Sequence, residues 1–328
     1  MLFNTYEPGK FAFSQESIDL YDSNKTVDDI NKESVDEFRK SKKWGIIGVP
    51  FDSTCSYHHG SRYAPTLIRE ASFGFEQYNC EFDRLLDGEF YDCGDLNVVH
   101  GNCMKTCEIL DDSVKELIGS NIKPIIIGGE HSVSLGSISA LASLEDSNDL
   151  SDITVIHLDA HRDIIDEYIG EKYSHASIMK RVYDLNPKEL IQIGIRSFSI
   201  EEKEFVENKE NISSFYAKNI RDYNDNGSLS EQVKTFEDLL SKIDSIEGKV
   251  YISIDMDVFD PSIAPSVGNP TPNGLSYRDL QSIFESLSFN EKIDIIGFDL
   301  VELASDRLGD VTAVLAAKII YDFLTLFS

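Results

Sequence analysis

Six short runs of aliphatic and β-branched residues recur along the chain: Trp44–Phe51, Pro124–Gly128, Ile153–Asp159, Leu190–Arg196, Val250–Asp257 and Ile293–Val301. Most are continuously apolar, the pattern of strands covered on both faces of a parallel sheet. Helix-like stretches lie between them, at Met104–Ile118, Ser132–Leu144, Ser230–Ile243 and Tyr277–Leu287, and Val311–Phe327 reads as a closing helix packed on the core. No Gly/Ser linker, repeat or low-complexity tract interrupts this rhythm. It predicts one three-layer α/β/α domain with a mainly parallel sheet over residues 44–328. Residues 1–43 read as a polar lead-in packed on that domain, with one short helix within 15–43.

In such sheets, sites form where loops leave the carboxyl ends of the strands, and the polar clusters of this chain fall there. Gly128-Gly129-Glu130-His131-Ser132 follows the second run. Asp159-Ala160-His161-Arg162-Asp163 closes the third, Asp255-Met256-Asp257 the fifth, and Asp299 with Glu302 the sixth. In an extended chain a spacing of two puts side chains on one face. Carboxylates packed this closely repel unless something positive sits between them. A cation, or a pair of them, resolves the repulsion. Each piece alone has a plainer reading: Ser132 as a helix cap, Asp255 and Asp257 as a solvated strand end, Glu302 as a surface carboxylate. DAHRD resists such a reading, because burying two Asp beside a His without a compensating cation costs several kcal/mol. His157 shares the parity of Asp159 but lies deeper in its strand, and reads as a core histidine or one supporting a ligand.

The formal net charge is −28. That argues against nucleic-acid binding, which needs clustered Lys and Arg. It suits a cationic small substrate, and equally a well-solvated acidic surface. The five cysteines form no CxxC pair and read as free thiols of a reducing cytoplasm. The N-terminus has no basic stretch followed by an apolar core, so no signal peptide is expected. Val311–Phe327 carries Lys318 and Asp322 and is too short to span a bilayer.

Taken together, GVPFDST, GGEHS, DAHRD, SHAS, SIDMDVFDP and GFDLVEL resemble the ureohydrolases (arginase, agmatinase and their relatives) in order and spacing, from about Trp44 to the C-terminus. The resemblance implies an arginase-like fold and metal ligands at His131, Asp159, His161, Asp163, Asp255 and Asp257. It implies that Asp159 and Asp255 bridge two ions, completed by His131 and Asp163 on one side and His161 and Asp257 on the other. So oxygen-rich a set suits Mn²⁺ better than thiolate-loving zinc. A metal pair can activate a bridging water near neutral pH, for attack on a guanidinium carbon. By the same resemblance Glu302 holds the guanidinium through charge-assisted hydrogen bonds, His175 shuttles a proton to the leaving amine, and Asp163 doubles as ligand and orienter. Homo-oligomers, trimers or hexamers, are also implied.

SVGNPTPNGLS, residues 266–276, looks like agmatinase more than arginase, and archaeal-type agmatinases most of all. The loop Ile164–Ser174 contains no Asn, and Asp166, Glu167 and Glu171 make it acidic. Such a loop repels a substrate carboxylate and favours a distal ammonium. The expected substrate is therefore agmatine, giving urea and putrescine for polyamine (spermidine) synthesis. N1-aminopropylagmatine, arginine, guanidinobutyrate and formiminoglutamate are the alternatives within the family. An amide hydrolase of the one-metal deacetylase branch and a catalytically dead binding protein are the alternatives outside it. Three departures bear on the pocket: Glu130 where the family usually has Asp, Ser174-His175-Ala176-Ser177-Ile178-Met179 where bacterial agmatinases typically have SHGTPF, and His58-His59 where the family often has Arg-Pro.

Overall fold

The computed structural model describes residues 2, 4–6, 9–15, 37–145, 147–221 and 234–328. Its main sheet has nine strands: β1 (Thr5–Tyr6), β2 (Trp44–Gly48), β5 (Phe90–Leu96), β6 (Lys123–Ile127), β7 (Ile153–Leu158), β8 (Glu189–Ile195), β9 (Ile212–Tyr216), β10 (Gly248–Asp255) and β11 (Ile293–Val301). The spatial order is β1-β5-β2-β6-β11-β10-β7-β8-β9. Every pairing is parallel except the antiparallel edge pair β1–β5. Two further short strands, β3 (Tyr78–Asn79) and β4 (Arg84–Leu85), form a separate hairpin.

All six expected strands are present, within a few residues at their ends. Their continuous hydrophobicity follows from alternation between two cores. Ile125 and Ile127 enter one cluster, with the helices Ala64–Ser72, Phe236–Asp244, Tyr277–Phe289 and Val311–Phe327. Ile126 enters the other, with Cys103–Gly119, Ser134–Ala142 and Ile178–Asp184. Successive side chains of a strand point to opposite faces, so a strand covered by helices on both sides is apolar throughout. This is the expected three-layer α/β arrangement. Residues 230–233 of the expected helix Ser230–Ile243, and most of the lead-in, lie outside the described residues. Within that lead-in, Thr5 and Tyr6 extend the sheet and Phe11 is buried in the core. No helix among the described residues is long and apolar enough to cross a membrane.

β6, β11, β10 and β7 are consecutive in space. Their carboxyl ends carry the loops of His131, Glu302, Asp255 and Asp159. Residues as far as 171 positions apart in sequence thus meet at the centre of the sheet rim.

Candidate metal centre

The six expected ligand residues converge at that rim, and His131 is at the middle of one half. Its Nδ1 lies 3.2 Å from Asp159 Oδ2, 3.2 Å from Asp163 Oδ2 and 3.4 Å from Asp255 Oδ2. The other half joins His161 and Asp257, with His161 Nδ1 2.9 Å from Asp257 Oδ2 and 3.5 Å from Asp159 Oδ1. Asp159 belongs to both groups of side chains that can close around an ion. Asp163, Asp255, Asp257, His161, His175 and Glu302 all line a cavity of ≈ 290 Å³.

Local chain chemistry fixes these positions. The Asp159 Oδ1 accepts the His161 backbone N–H, and Asp255 Oδ1 accepts the Asp257 N–H at 2.7 Å. Asp257 Oδ1 in turn accepts the Ala160 N–H at 3.1 Å, stitching the two strand ends together. Behind His131, Nε2 lies 2.9 Å from Ser253 Oγ, which donates to Asp299 at 2.7 Å. That chain orients the ring, as supporting shells of metal sites do. His157 is buried, its Nε2 lies 2.9 Å from Asp159 Oδ2, and it stands with His131, Asp159 and Asp163 in one of the two groups that could hold an ion. Gly129 is dictated by close approach: a Cβ there would sit 1.8 Å from the Phe51 carbonyl oxygen. Asp163 and Glu302 both adopt the left-handed region, at φ 51° and 65°. Non-glycine residues held there are strained and cluster at functional sites.

Electrostatics show what the cluster lacks. His131 Nδ1 is fully buried and makes no hydrogen bond, although three carboxylate oxygens face it. Burial opposes its protonation, yet those carboxylates, Asp159 first, hold the imidazole well above its ordinary pKa. Burial likewise opposes the proton on His161, while Asp257 and Asp159 push it up to about 12. Asp163 is raised to about 7 by burial and the charge of Asp159. Burial and Asp257 raise Asp255 well above the carboxylate range. The cluster retains protons because it demands positive charge, and an orphaned nitrogen among carboxylate oxygens is what a cation would satisfy. The residues present therefore fit a metal, with an oxygen-rich donor set of hard character.

Glu302 lies beside the centre. Its Oε1 accepts the His131 N–H at 2.7 Å, and Oε2 faces Gly268 and the Ser61 hydroxyl at 3.4 Å. Burial and the charge of Glu130 raise its pKa to about 8. His175 opens a short 3₁₀ turn and meets the edge of Tyr168, ring centres 5.5 Å apart. Burial and the charges of His131 and His161 lower its pKa to about 4.

The acidic loop acts differently from its sequence reading. Asp166 is turned to Arg181 at 2.6 Å, and the loop lends the cavity Ile165 and Tyr168. Acidity at the cavity comes instead from Asp163, Asp255, Asp257, Glu302 and Glu202. Glu202 was not legible, because Ser199-Ile200-Glu201-Glu202 reads as a helix capping box, which it also is. Asn269, whose Nδ2 lies 3.1 Å from His161 Nε2, is likewise new. The agmatinase-like segment around it was its one signal. Of the two histidines of the 58–59 pair, His58 lines the cavity.

Comparison with known proteins identifies the family. The family described as Arginase family matches residues 42–325. An uncharacterized 32.2 kDa protein of Methanothermus fervidus is 40% identical over 96% of this chain and 97% of its own. The N(1)-aminopropylagmatine ureohydrolase of Thermococcus kodakarensis is 37% identical over 84% of this chain and 88% of its own. The crystal structure of agmatine ureohydrolase of Thermoplasma volcanium superposes with a TM-score of 0.71 at 30% identity, covering 91% of this chain and 95% of that one. On the family match and the identity to these relatives, the chain belongs to the arginase family.

Proposed function

We propose that this protein hydrolyses the guanidino group of agmatine, releasing urea and putrescine, with two Mn²⁺ held by His131, Asp159, His161, Asp163, Asp255 and Asp257. The carrying observation is the double cluster sharing Asp159, set beside a cavity lined by five carboxylates: Asp163, Glu202, Asp255, Asp257 and Glu302. A metal pair, when bound, supplies activated water at neutral pH and offsets the carboxylate charge. The remaining work falls to side chains. Glu302 holds the guanidinium by charge-assisted hydrogen bonds, with Asp163 helping to orient the reacting groups. His175 gives a proton to the departing amine; burial and the charges of His131 and His161 hold its pKa at about 4, so the ring rests neutral and takes up that proton during turnover. The acidic wall favours a cationic tail over a carboxylate. N1-aminopropylagmatine is the second reading, favoured by the 37% identical relative that carries its name.

A substrate panel with Mn²⁺ tests this reading: agmatine, N1-aminopropylagmatine, arginine and guanidinobutyrate, followed by urea release. Turnover of the carboxylated compounds without agmatine would overturn it. Metal loading provides a second test. In the metal-free protein the surrounding carboxylates hold the His131 pKa well above its ordinary value and push that of His161 up to about 12, so His161 carries a proton at neutral pH. Metals bind neutral imidazole, so loading releases protons and tightens as pH rises. Calorimetry in buffers of different ionisation enthalpy should show a net release of about one proton or more per chain. Buffer-independent heats would contradict it.

His175→Ala is expected to keep both metals and slow turnover by about 10²-fold. Metal analysis beside steady-state kinetics reads both, and an unchanged rate removes His175 from the proton transfer.

A further inference from the structure

Glu130 precedes His131 in sequence, but its carboxylate serves another residue. It is fully buried. Oε2 accepts the Thr54 backbone N–H at 2.6 Å and lies 3.7 Å from the Cys55 thiol. Oε1 accepts the Ser132 hydroxyl at 2.6 Å and also the Thr54 hydroxyl. All four groups are donors, so Glu130 is an acceptor on both oxygens.

That arrangement restricts Thr54. A hydroxyl has one proton and two lone pairs. With the proton committed to Glu130, Thr54 Oγ1 can only accept from its remaining neighbours. Both of those belong to His175: the backbone N–H at 3.1 Å and ring Nδ1 at 3.3 Å. Nδ1 must then carry hydrogen. In a neutral imidazole one ring nitrogen is donor and the other acceptor, which leaves the free lone pair on Nε2. The hydrogen bond made by one ring nitrogen decides what the other can do.

We propose that Glu130 and Thr54 are positioning residues that fix His175 in its Nδ1–H tautomer, so that Nε2 is the atom that exchanges a proton with the substrate. The proton balance is simple: Nε2 takes a proton released by the water whose oxygen bonds to the guanidinium carbon, gives it to the leaving amine nitrogen as the C–N bond breaks, and returns to the same neutral form. Nδ1 keeps its hydrogen throughout, held by an oxygen that cannot donate to it. The inference rests on the reading of His175 as the proton-transfer residue. It explains why an acidic residue is buried at 130 without facing the ligand cluster, and why the loop after β2 is tied to the turn of His175.

Thr54→Val removes the hydroxyl at nearly constant volume, and Thr54→Ser restores it. Kinetics on agmatine, metal analysis, and ¹⁵N spectra of histidine-labelled protein at neutral pH are measured on the full chain. The His175 signals are assigned by difference against His175→Asn. In the wild type Nδ1 is expected at the protonated and Nε2 at the unprotonated position. Thr54→Val should lower kcat roughly 10–100-fold with KM and metal content unchanged, and should shift His175 toward the Nε2–H form. Thr54→Ser should recover both. A wild-type spectrum with hydrogen on Nε2 overturns the proposal, whatever the variants do. So do an unchanged kcat in Thr54→Val, a loss of metal from it, or a Thr54→Ser protein that recovers neither readout. Should His175→Ala itself leave turnover unchanged, the catalytic reading of His175 fails, while the spectra still report whether Thr54 sets the tautomer.

Discussion

Asp159→Ala is expected to strip the site of metal and to reduce urea release by at least ~10³-fold. Asp159 is the side chain common to both halves of the cluster, with Oδ2 3.2 Å from His131 Nδ1 and Oδ1 3.5 Å from His161 Nδ1. Removing it takes an oxygen from each half at once. It also strips the buried His157 of the partner its Nε2 has at 2.9 Å. Loss of a peripheral ligand would weaken one half; loss of a shared one dismantles both. Metal per chain, measured on protein purified with Mn²⁺, should fall together with activity. A variant that keeps two metals and more than a tenth of its activity would refute the shared role.

Glu302→Gln should leave the metals in place and cost roughly 10³-fold in kcat/KM for a guanidino substrate. The substitution preserves shape, and an amide oxygen can still accept the His131 N–H that Oε1 accepts at 2.7 Å. What disappears is the negative charge on the second oxygen, which faces Gly268 with too little room for any added side-chain atom. Breaking a buried ion pair by removing one partner costs about 3–5 kcal/mol, and each 1.36 kcal/mol is tenfold. The charge is unusually dependent on a cation, because burial and Glu130 hold the Glu302 pKa near about 8. An arriving guanidinium ionises it, so binding and ionisation reinforce one another. Full activity with intact metals would show that the guanidinium is held elsewhere.

Two of the strands that escaped the sequence reading did so for different physical reasons. β5, Phe-Tyr-Asp-Cys-Gly-Asp-Leu, looks too polar for a sheet interior. Its Asp92 and Asp95 are neutralised by Arg69, with Nε 2.7 Å from Asp92 Oδ2, and Arg69 comes from a helix more than twenty residues earlier. A charge loses its cost of burial only when its partner arrives, and that partner is invisible to local pattern. β9, Ile-Ser-Ser-Phe-Tyr, is short and half polar because it lies at the sheet edge. The six recognised strands include the five central ones, covered on both sides and therefore apolar throughout.

The carboxylates and imidazoles of the candidate metal centre were legible because spacing of two at a strand end is a local property, and because the motifs resemble a family as a set. Thr54, Glu202 and Asn269 were not, for each is an ordinary loop or cap residue until the fold carries it to the rim. The acidity of the Ile164–Ser174 loop shows the converse: its Asp166 faces Arg181, whereas the acidic residues lining the cavity come from three strand ends and one helix start. Sequence by itself determined the layer architecture and the chemistry of the cluster, since both follow from periodicity and from which groups repel. Tertiary structure alone decided which oxygen faces which nitrogen, that His131 Nδ1 is left unsatisfied, and that Glu130 turns toward Thr54 and His175. Those are facts of distance between segments far apart in the chain, and no local pattern encodes a distance.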